Sequence, residues 1–166
     1  GKRILQLNGE GDFKVQKGSK FTVNSDNGSV SVLGTQFNVK TNPSYFEVLC
    51  YEGKVQVNNH QEIAVLTKGL SFRKIENSTS EKGTFTKLKP SWIDGESNFE
   101  NTPLKFVLKE LEKQYHIKVT SAEIDLNTLF TGAFTNKNLN LALQTICTPL
   151  SIQFKINENS VVLTKR

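Results

Sequence analysis

From Ile4 to Ile75 the chain is a succession of short stretches in which every second residue is apolar. Ile4-Leu5-Gln6-Leu7, Phe13-Lys14-Val15, Phe21-Thr22-Val23, Val30-Ser31-Val32, Phe37-Asn38-Val39 and Val55-Gln56-Val57 all show it. A period of two is that of a half-buried β-strand, whose successive side chains point to opposite faces. Turn formers separate the stretches: Asn8-Gly9, Lys17-Gly18, Asn27-Gly28, Glu52-Gly53, Asn58-Asn59 and Lys68-Gly69. Asn-Gly is the strongest of these signals, because both residues tolerate positive φ. Nine of the thirteen Val residues lie in this part, and β-branched side chains fit a pleated surface. The pattern predicts an antiparallel all-β domain over residues 1–75, its strands meandering between two packed layers.

Glu76-Asn77-Ser78-Thr79-Ser80-Glu81-Lys82-Gly83 has no apolar residue and no period. It reads as an exposed loop, part of a linker over residues 76–91. Pro90 and Trp92 mark a new beginning, and the rhythm then changes. Thr102 suits a helix N-cap and Pro103 a first helical residue, since Pro lacks the N–H that would be orphaned there. Leu104, Val107, Leu108, Leu111 and Tyr115 form one apolar stripe of a helix ending near Gln114. Lys105, Lys109, Glu112 and Lys113 lie on its other faces. Ile117-Lys118-Val119-Thr120 returns to strand rhythm. A second cycle runs from a strand at Leu129–Phe134 through N-cap Asn138 and a short helix that Pro149 stops. Ile152–Ile156, a turn at Asn157-Glu158-Asn159 and Val161-Val162-Leu163 close as a hairpin. Residues 92–166 therefore read as a small α+β domain of two strand–helix–strand units in tandem.

Composition changes this picture little. The chain has 166 residues, 36% of them hydrophobic and 22% charged, which suits one large or two small soluble domains. No apolar run approaches the roughly 20 residues needed to cross a bilayer. The first residue is Gly and there is no Met, as expected of a processed fragment, so targeting segments are not legible here. Two cysteines exclude a disulfide scaffold. The net charge of +5 comes from the first half, where residues 1–89 carry 13 basic against 8 acidic side chains. Those lysines are dispersed singly, at Lys14, Lys17, Lys20, Lys40, Lys54 and Lys68, as on a solvated β surface and not as in a nucleic-acid patch.

Catalytic signals are thin. His60 and His116 are far apart in the chain, with no His or Cys at metal-ligand spacing near either. Cys50 and Cys147 sit in apolar neighbourhoods and read as small buried hydrophobes, with a disulfide between them left open. Asp94-Gly95-Glu96-Ser97-Asn98 with Glu100 resembles a calcium loop, but Phe99 replaces the required Gly and Lys105 the bidentate Glu. Glu110 and Glu112 read as a pair on a solvated helix face. Asn27-Gly28-Ser29 and Asn77-Ser78-Thr79 match a glycosylation triplet too short to be informative. No catalytic residue, cofactor or metal site is expected.

Several blocks together resemble the FecR-type anti-sigma regulators, in the form common in Bacteroidetes. Arg3–Glu10 with Phe13-Lys14-Val15, including Gly9 and Glu10, is similar to the family's "L-x-GE-x-x-F-x-V" block. Val32–Val39, with Gly34, Thr35 and Phe37, is similar to "VLGTxFNV". Val48–Val57 is similar to the strand pair around "EGxVxV", with Gly53, and Leu66–Gly69 to "LxxG". Trp92, Gly95, Phe99, Pro103, Leu104 and Phe130–Phe134 with Gly132 are similar to its carboxy-terminal module. These are expected to be structural motif residues. One departure is Glu96-Ser97-Asn98, where an apolar residue is usual, so a frayed strand is expected there. Relative to the family the chain begins inside the first domain, with a strand or two, the cytoplasmic segment and the membrane helix lying outside it.

The resemblance implies a mainly β plus α+β fold: an antiparallel β sandwich or solenoid-like domain, then a small βαβ–βαβ domain like the secretin-and-TonB N-terminal (STN) fold. It implies the periplasmic domain of a single-pass inner-membrane anti-sigma factor. Such a protein binds the signalling domain of a TonB-dependent outer-membrane transducer and regulates an extracytoplasmic-function (ECF) sigma factor through its cytoplasmic part. No enzyme, cofactor or nucleic-acid partner is implied. Strand addition is a natural mode for a small sheet domain, and the expected docking residues are Ile117, Lys118, Val119 and Thr120 with Val161, Val162 and Leu163. The competing reading is an extracellular carbohydrate-binding or adhesive β module. It needs an exposed aromatic platform, whereas Tyr45 and Tyr51 stand isolated in the sequence.

Overall fold

The computed structural model describes residues 3–18, 20–85 and 95–166. The chain forms two compact units, residues 1–90 and 91–166.

The described residues of the first unit form ten strands: β1 (Arg3–Gln6), β2 (Gly9–Lys14), β3 (Phe21–Ser25), β4 (Gly28–Val32), β5 (Gln36–Asn42), β6 (Tyr45–Glu52), β7 (Lys54–Asn58), β8 (Ile63–Thr67), β9 (Leu70–Ile75) and β10 (Glu81–Thr84). They build two five-stranded sheets, ordered β1-β3-β4-β7-β8 and β10-β9-β6-β5-β2. Alternation places Val23, Val30, Val32, Val55, Val57, Ala64 and Leu66 of one sheet in a shared core with Phe37, Val39, Phe46, Val48, Cys50 and Phe72 of the other. The result is the expected sandwich. Each fully buried Val or Phe here contributes about 1.5–3 kcal/mol relative to exposure.

Three details depart from the sequence reading. β1 pairs with β3 in parallel, because the chain visits the other sheet between them. β6 and β7 do not pair with each other; the chain changes sheet at Gly53. Glu81–Thr84, expected within the linker, is a strand antiparallel to β9. All four of its residues are exposed, so backbone pairing and the Arg73–Glu81 ion pair at 3.7 Å hold it, neither of which leaves an apolar pattern. The core-distal face of that sheet carries charges in register, Glu10–Lys40–Glu47–Arg73–Glu81 across its five strands. Opposite charges facing across strands stabilise a sheet.

The second unit holds β11 (Glu96–Pro103), α1 (Leu104–Tyr115), β12 (Lys118–Ser121), β13 (Leu129–Thr135), α2 (Leu139–Cys147), β14 (Ile152–Asn157) and β15 (Ser160–Lys165). β11 pairs antiparallel with β13, and a second sheet runs β12-β15-β14. Each strand–helix–strand pass thus begins in one sheet and ends in the other. Leu104, Val107, Leu108 and Leu111 of α1 and Ala142, Leu143, Ile146 and Cys147 of α2 meet in one core with Phe99, Phe130, Phe134, Val161 and Leu163.

The N-cap of α1 is Pro103, not Thr102; the Thr102 hydroxyl donates instead to Glu100 O at 3.1 Å. The Leu104 N–H finds Thr128 O at 2.8 Å, which fixes the helix start without a side-chain cap. Asn138 caps α2 as expected, its Oδ1 accepting from Leu141 N at 3.0 Å. β11 is not frayed: Ser97 and Phe99 are buried, and pairing with β13 runs from Glu96 to Pro103 around a bulge between Phe99 and Thr102.

Candidate functional site

Among the described residues nothing converges for catalysis. No group of three or more His, Cys, Asp or Glu is placed to hold a metal. His60 is exposed in a turn with φ +76°, and His116 is exposed at the left-handed C-cap of α1. Cys50 and Cys147 are both free and buried, and burial pushes each thiol up to about 11. Glu110 and Glu112 are not a solvated pair. Glu110 is buried and accepts from Gln114 Nε2 at 2.9 Å, while Glu112 Oε2 accepts the Val119 N–H at 2.9 Å. The Asn27 amide is occupied too, donating to Thr41 Oγ1 at 2.8 Å and Asn42 O at 2.6 Å, so it latches the β3–β4 turn to the other sheet.

A depression of about 320 Å³ in the second unit is lined by Leu104, Glu123, Ile124, Asp125, Leu150 and Lys165, among others. Glu123 and Asp125 are exposed side chains of one loop, not facing walls of a closed site. Tyr45 and Tyr51 are buried and form no exposed platform. The Tyr45 hydroxyl donates to Glu47 Oε2 at 2.9 Å; burial first, then the Glu47 charge, holds it well above the usual phenol range.

The glycine motifs gather where the chain changes sheet. Gly34 lies between β4 and β5, Gly53 between β6 and β7, and Gly69 between β8 and β9. Thr35 exchanges backbone hydrogen bonds with Val15 at 2.8 and 3.0 Å, and its hydroxyl donates to Lys54 O at 2.9 Å. A Cβ on Gly53, whose φ is +86°, would lie 2.8 Å from Gly34 O. The blocks containing Gly34-Thr35 and Gly53 are therefore two sides of one close backbone crossing. Gly69 N–H donates to Cys50 O at 2.9 Å. Gly9 opens β2, and Glu10 accepts from Asn38 Nδ2 at 3.2 Å; Phe37 is fully buried. In the second unit Gly95 O accepts from Asn136 N at 2.9 Å, Gly132 faces Phe99 across the sheet, and Leu104 is fully buried. Trp92 lies outside the described residues.

The expected docking residues separate. Lys118, Val119 and Thr120 stand on edge strand β12, with Ile117 just before it, whereas Val161, Val162 and Leu163 belong to β15, the central strand. Val161 and Leu163 are fully buried, and only Val162 reaches the surface, at 37% exposure. β15 thus offers no backbone edge. The outward N–H of Val119 is already taken by Glu112. Among the described residues the opposite edge of this sheet, that of β14, carries no such guard. Ser151 O accepts from Arg166 N at 3.1 Å, so alternation turns the polar backbone groups of Ile152, Phe154 and Ile156 away from β15. No bond to them occurs among the described residues. Neither the β14 edge nor the Glu112 guard had a sequence signal beyond the hairpin itself.

Residues 1–56 match the family model described as FecR protein, and residues 96–163 match the one described as FecR, C-terminal. The chain belongs to the FecR family of anti-sigma factors. Two crystal structures, each of a candidate anti-sigma factor from Parabacteroides distasonis, are similar to it at 25% identity, with TM-scores of 0.90 and 0.91. Each alignment covers 99% of this chain and 81% of the other. No curated protein matches. The role of this FecR chain is that of an anti-sigma sensor, a regulatory and non-enzymatic kind of protein. No helix among its described residues is long and apolar enough to cross a membrane.

Proposed function

We propose that the chain is the periplasmic part of a single-pass inner-membrane FecR protein that binds the signalling domain of a TonB-dependent outer-membrane transducer. A cytoplasmic part would hold the ECF sigma factor. The second unit is read as STN-like and as the docking unit. The observation that carries this is the unpaired β14 edge, with Ile156 exposed beside it. An extended segment of the partner adds there as a fourth strand, taking main-chain hydrogen bonds for affinity and side-chain contacts for specificity. Lys118, Thr120 and Val162 contribute from the core-distal face of the same sheet. Ligand occupancy of the transducer shifts the sigma factor only if the docked and free states differ in affinity for it.

The test is calorimetric titration of the chain with the transducer's isolated signalling domain. Ile156→Pro removes one outward N–H at an edge, where proline is tolerated. Folded Ile156→Pro protein is expected to bind at least ~10-fold more weakly, the equivalent of about 1.4 kcal/mol. Unchanged affinity rules out the β14 edge. No binding by the unmodified chain rules out the transducer reading itself.

A further inference from the structure

The first unit has an open edge of its own. Among the described residues β8 ends its sheet, with β7 as its strand neighbour. Asn59 N–H donates to Glu62 O at 3.2 Å, and Asn58 stands opposite Ile63. The residues turned toward β7 are therefore Ala64 and Leu66, and the N–H and C=O groups of Ile63, Val65 and Thr67 point outward. No hydrogen bond to them occurs among the described residues. Natural edges are usually blunted by a central charge, a proline or a bulge. β8 has none of these: its sequence is Ile-Ala-Val-Leu-Thr, with Ile63 64% and Val65 44% exposed. Its charges stand only at the ends, Glu62 before it and Lys68 after it.

That spacing is self-complementary. In an antiparallel pair of two β8 strands centred on Val65, Val65 meets Val65, Ile63 meets Thr67, and Ala64 meets Leu66. Glu62 of each copy then falls opposite Lys68 of the other. The outward groups at 63, 65 and 67 are the ones such a register needs, since facing residues in hydrogen-bonded pairs exchange both bonds. Ala64 and Leu66, both buried, continue the inner face of the sheet across the two-fold axis. Ser80 Oγ donates to Glu62 Oε1, and Asn59 Oδ1 accepts the Glu62 N–H at 2.9 Å, so the acid is held at the strand's start. A contact in which the same patch serves both partners closes as a dimer. We infer that the chain self-associates through β8, as an antiparallel two-fold strand pair centred on Val65 and clamped by two Glu62–Lys68 ion pairs.

Sedimentation velocity of the whole chain over a wide concentration range tests this. The unmodified chain is expected to pass from monomer to dimer. Lys68→Glu, which sets acids against acids, is expected to remain monomeric over the same range. Glu62→Lys combined with Lys68→Glu restores the facing pairs with reversed sign and is expected to restore the dimer. Val65→Pro removes the N–H on the two-fold axis at an edge position that tolerates proline, and is expected to be monomeric with an unchanged circular dichroism spectrum. A chain that stays monomeric, a dimer indifferent to Lys68→Glu, or a double variant that fails to re-associate each overturns the proposal. Transducer binding by the second unit is a separate measurement.

Discussion

Replacing Gly53 by Ala attacks the close approach between the Gly53 turn and the Gly34-Thr35 block. Two costs add. An L-residue at φ +86° carries backbone strain of about 1–3 kcal/mol. The new methyl would also lie 2.8 Å from Gly34 O, 3.0 Å from Thr35 Oγ1 and 3.2 Å from Thr35 Cα. Those atoms cannot easily retreat, since Thr35 is held by two backbone bonds to Val15 and by its hydroxyl bond to Lys54 O. Overpacking against such a neighbour costs about 1–3 kcal/mol. Together they remove about 3 kcal/mol, a large share of a domain stability of about 5–15 kcal/mol. In urea, with a slope of ~2 kcal/mol per M, the unfolding midpoint of the first unit falls by about 1.5 M. Gly18→Ala is the control. Its φ is +128°, but nothing lies within 4 Å of the added Cβ, so only the backbone strain of about 1 kcal/mol applies. Far-UV circular dichroism follows both. A Gly53→Ala shift no larger than that of Gly18→Ala would show that the crossing is not sterically closed.

Burial holds the Cys50 and Cys147 thiols at about 11 against an ordinary value of 9.0. Native protein at pH 8 should therefore resist iodoacetamide and label fully only after denaturation, as mass spectrometry would read. Because the folded state keeps these protons longer than the unfolded one, stability is whole below pH 9 and declines as pH rises toward 11; urea titrations at pH 7, 9 and 10.5 check the sign. Asn138→Ala removes the side-chain cap of α2 and is expected to cost about 1 kcal/mol, whereas Asn138→Gly costs only a few tenths, a contrast that thermal melts resolve.

The strands of the first unit were legible because alternation is a local property: Val30-Ser31-Val32 and Val55-Gln56-Val57 announce their buried faces wherever they pair. Which strand pairs with which is not local. β4 and β7 are neighbours across more than twenty residues of chain, while β6 and β7, adjacent in sequence, lie in different sheets. The turn at Gly53 marks a change of direction without saying into which layer. β10 had no pattern to read, since every side chain in it is exposed. In the second unit the caps and the helical stripe of α1 gave its boundaries to within a residue, but the stripe could not show that Glu110 would be buried or that Glu112 would reach β12. The docking region was legible only as a hairpin. The position of β15 between β12 and β14, which decides where an edge is open, follows from packing over both helices.

β15 is also made after both strands that flank it. Until its residues leave the ribosome, β12 has no ladder partner and the two buried side chains Val161 and Leu163 are missing from beneath the helices. The β11–β13 sheet can pair before then, but the β12-β15-β14 sheet cannot complete until this central strand arrives. A nick at the Glu158–Asn159 bend would cut the direct chain link between β14 and β15 and leave that central strand held by its two ladders and by buried Val161 and Leu163.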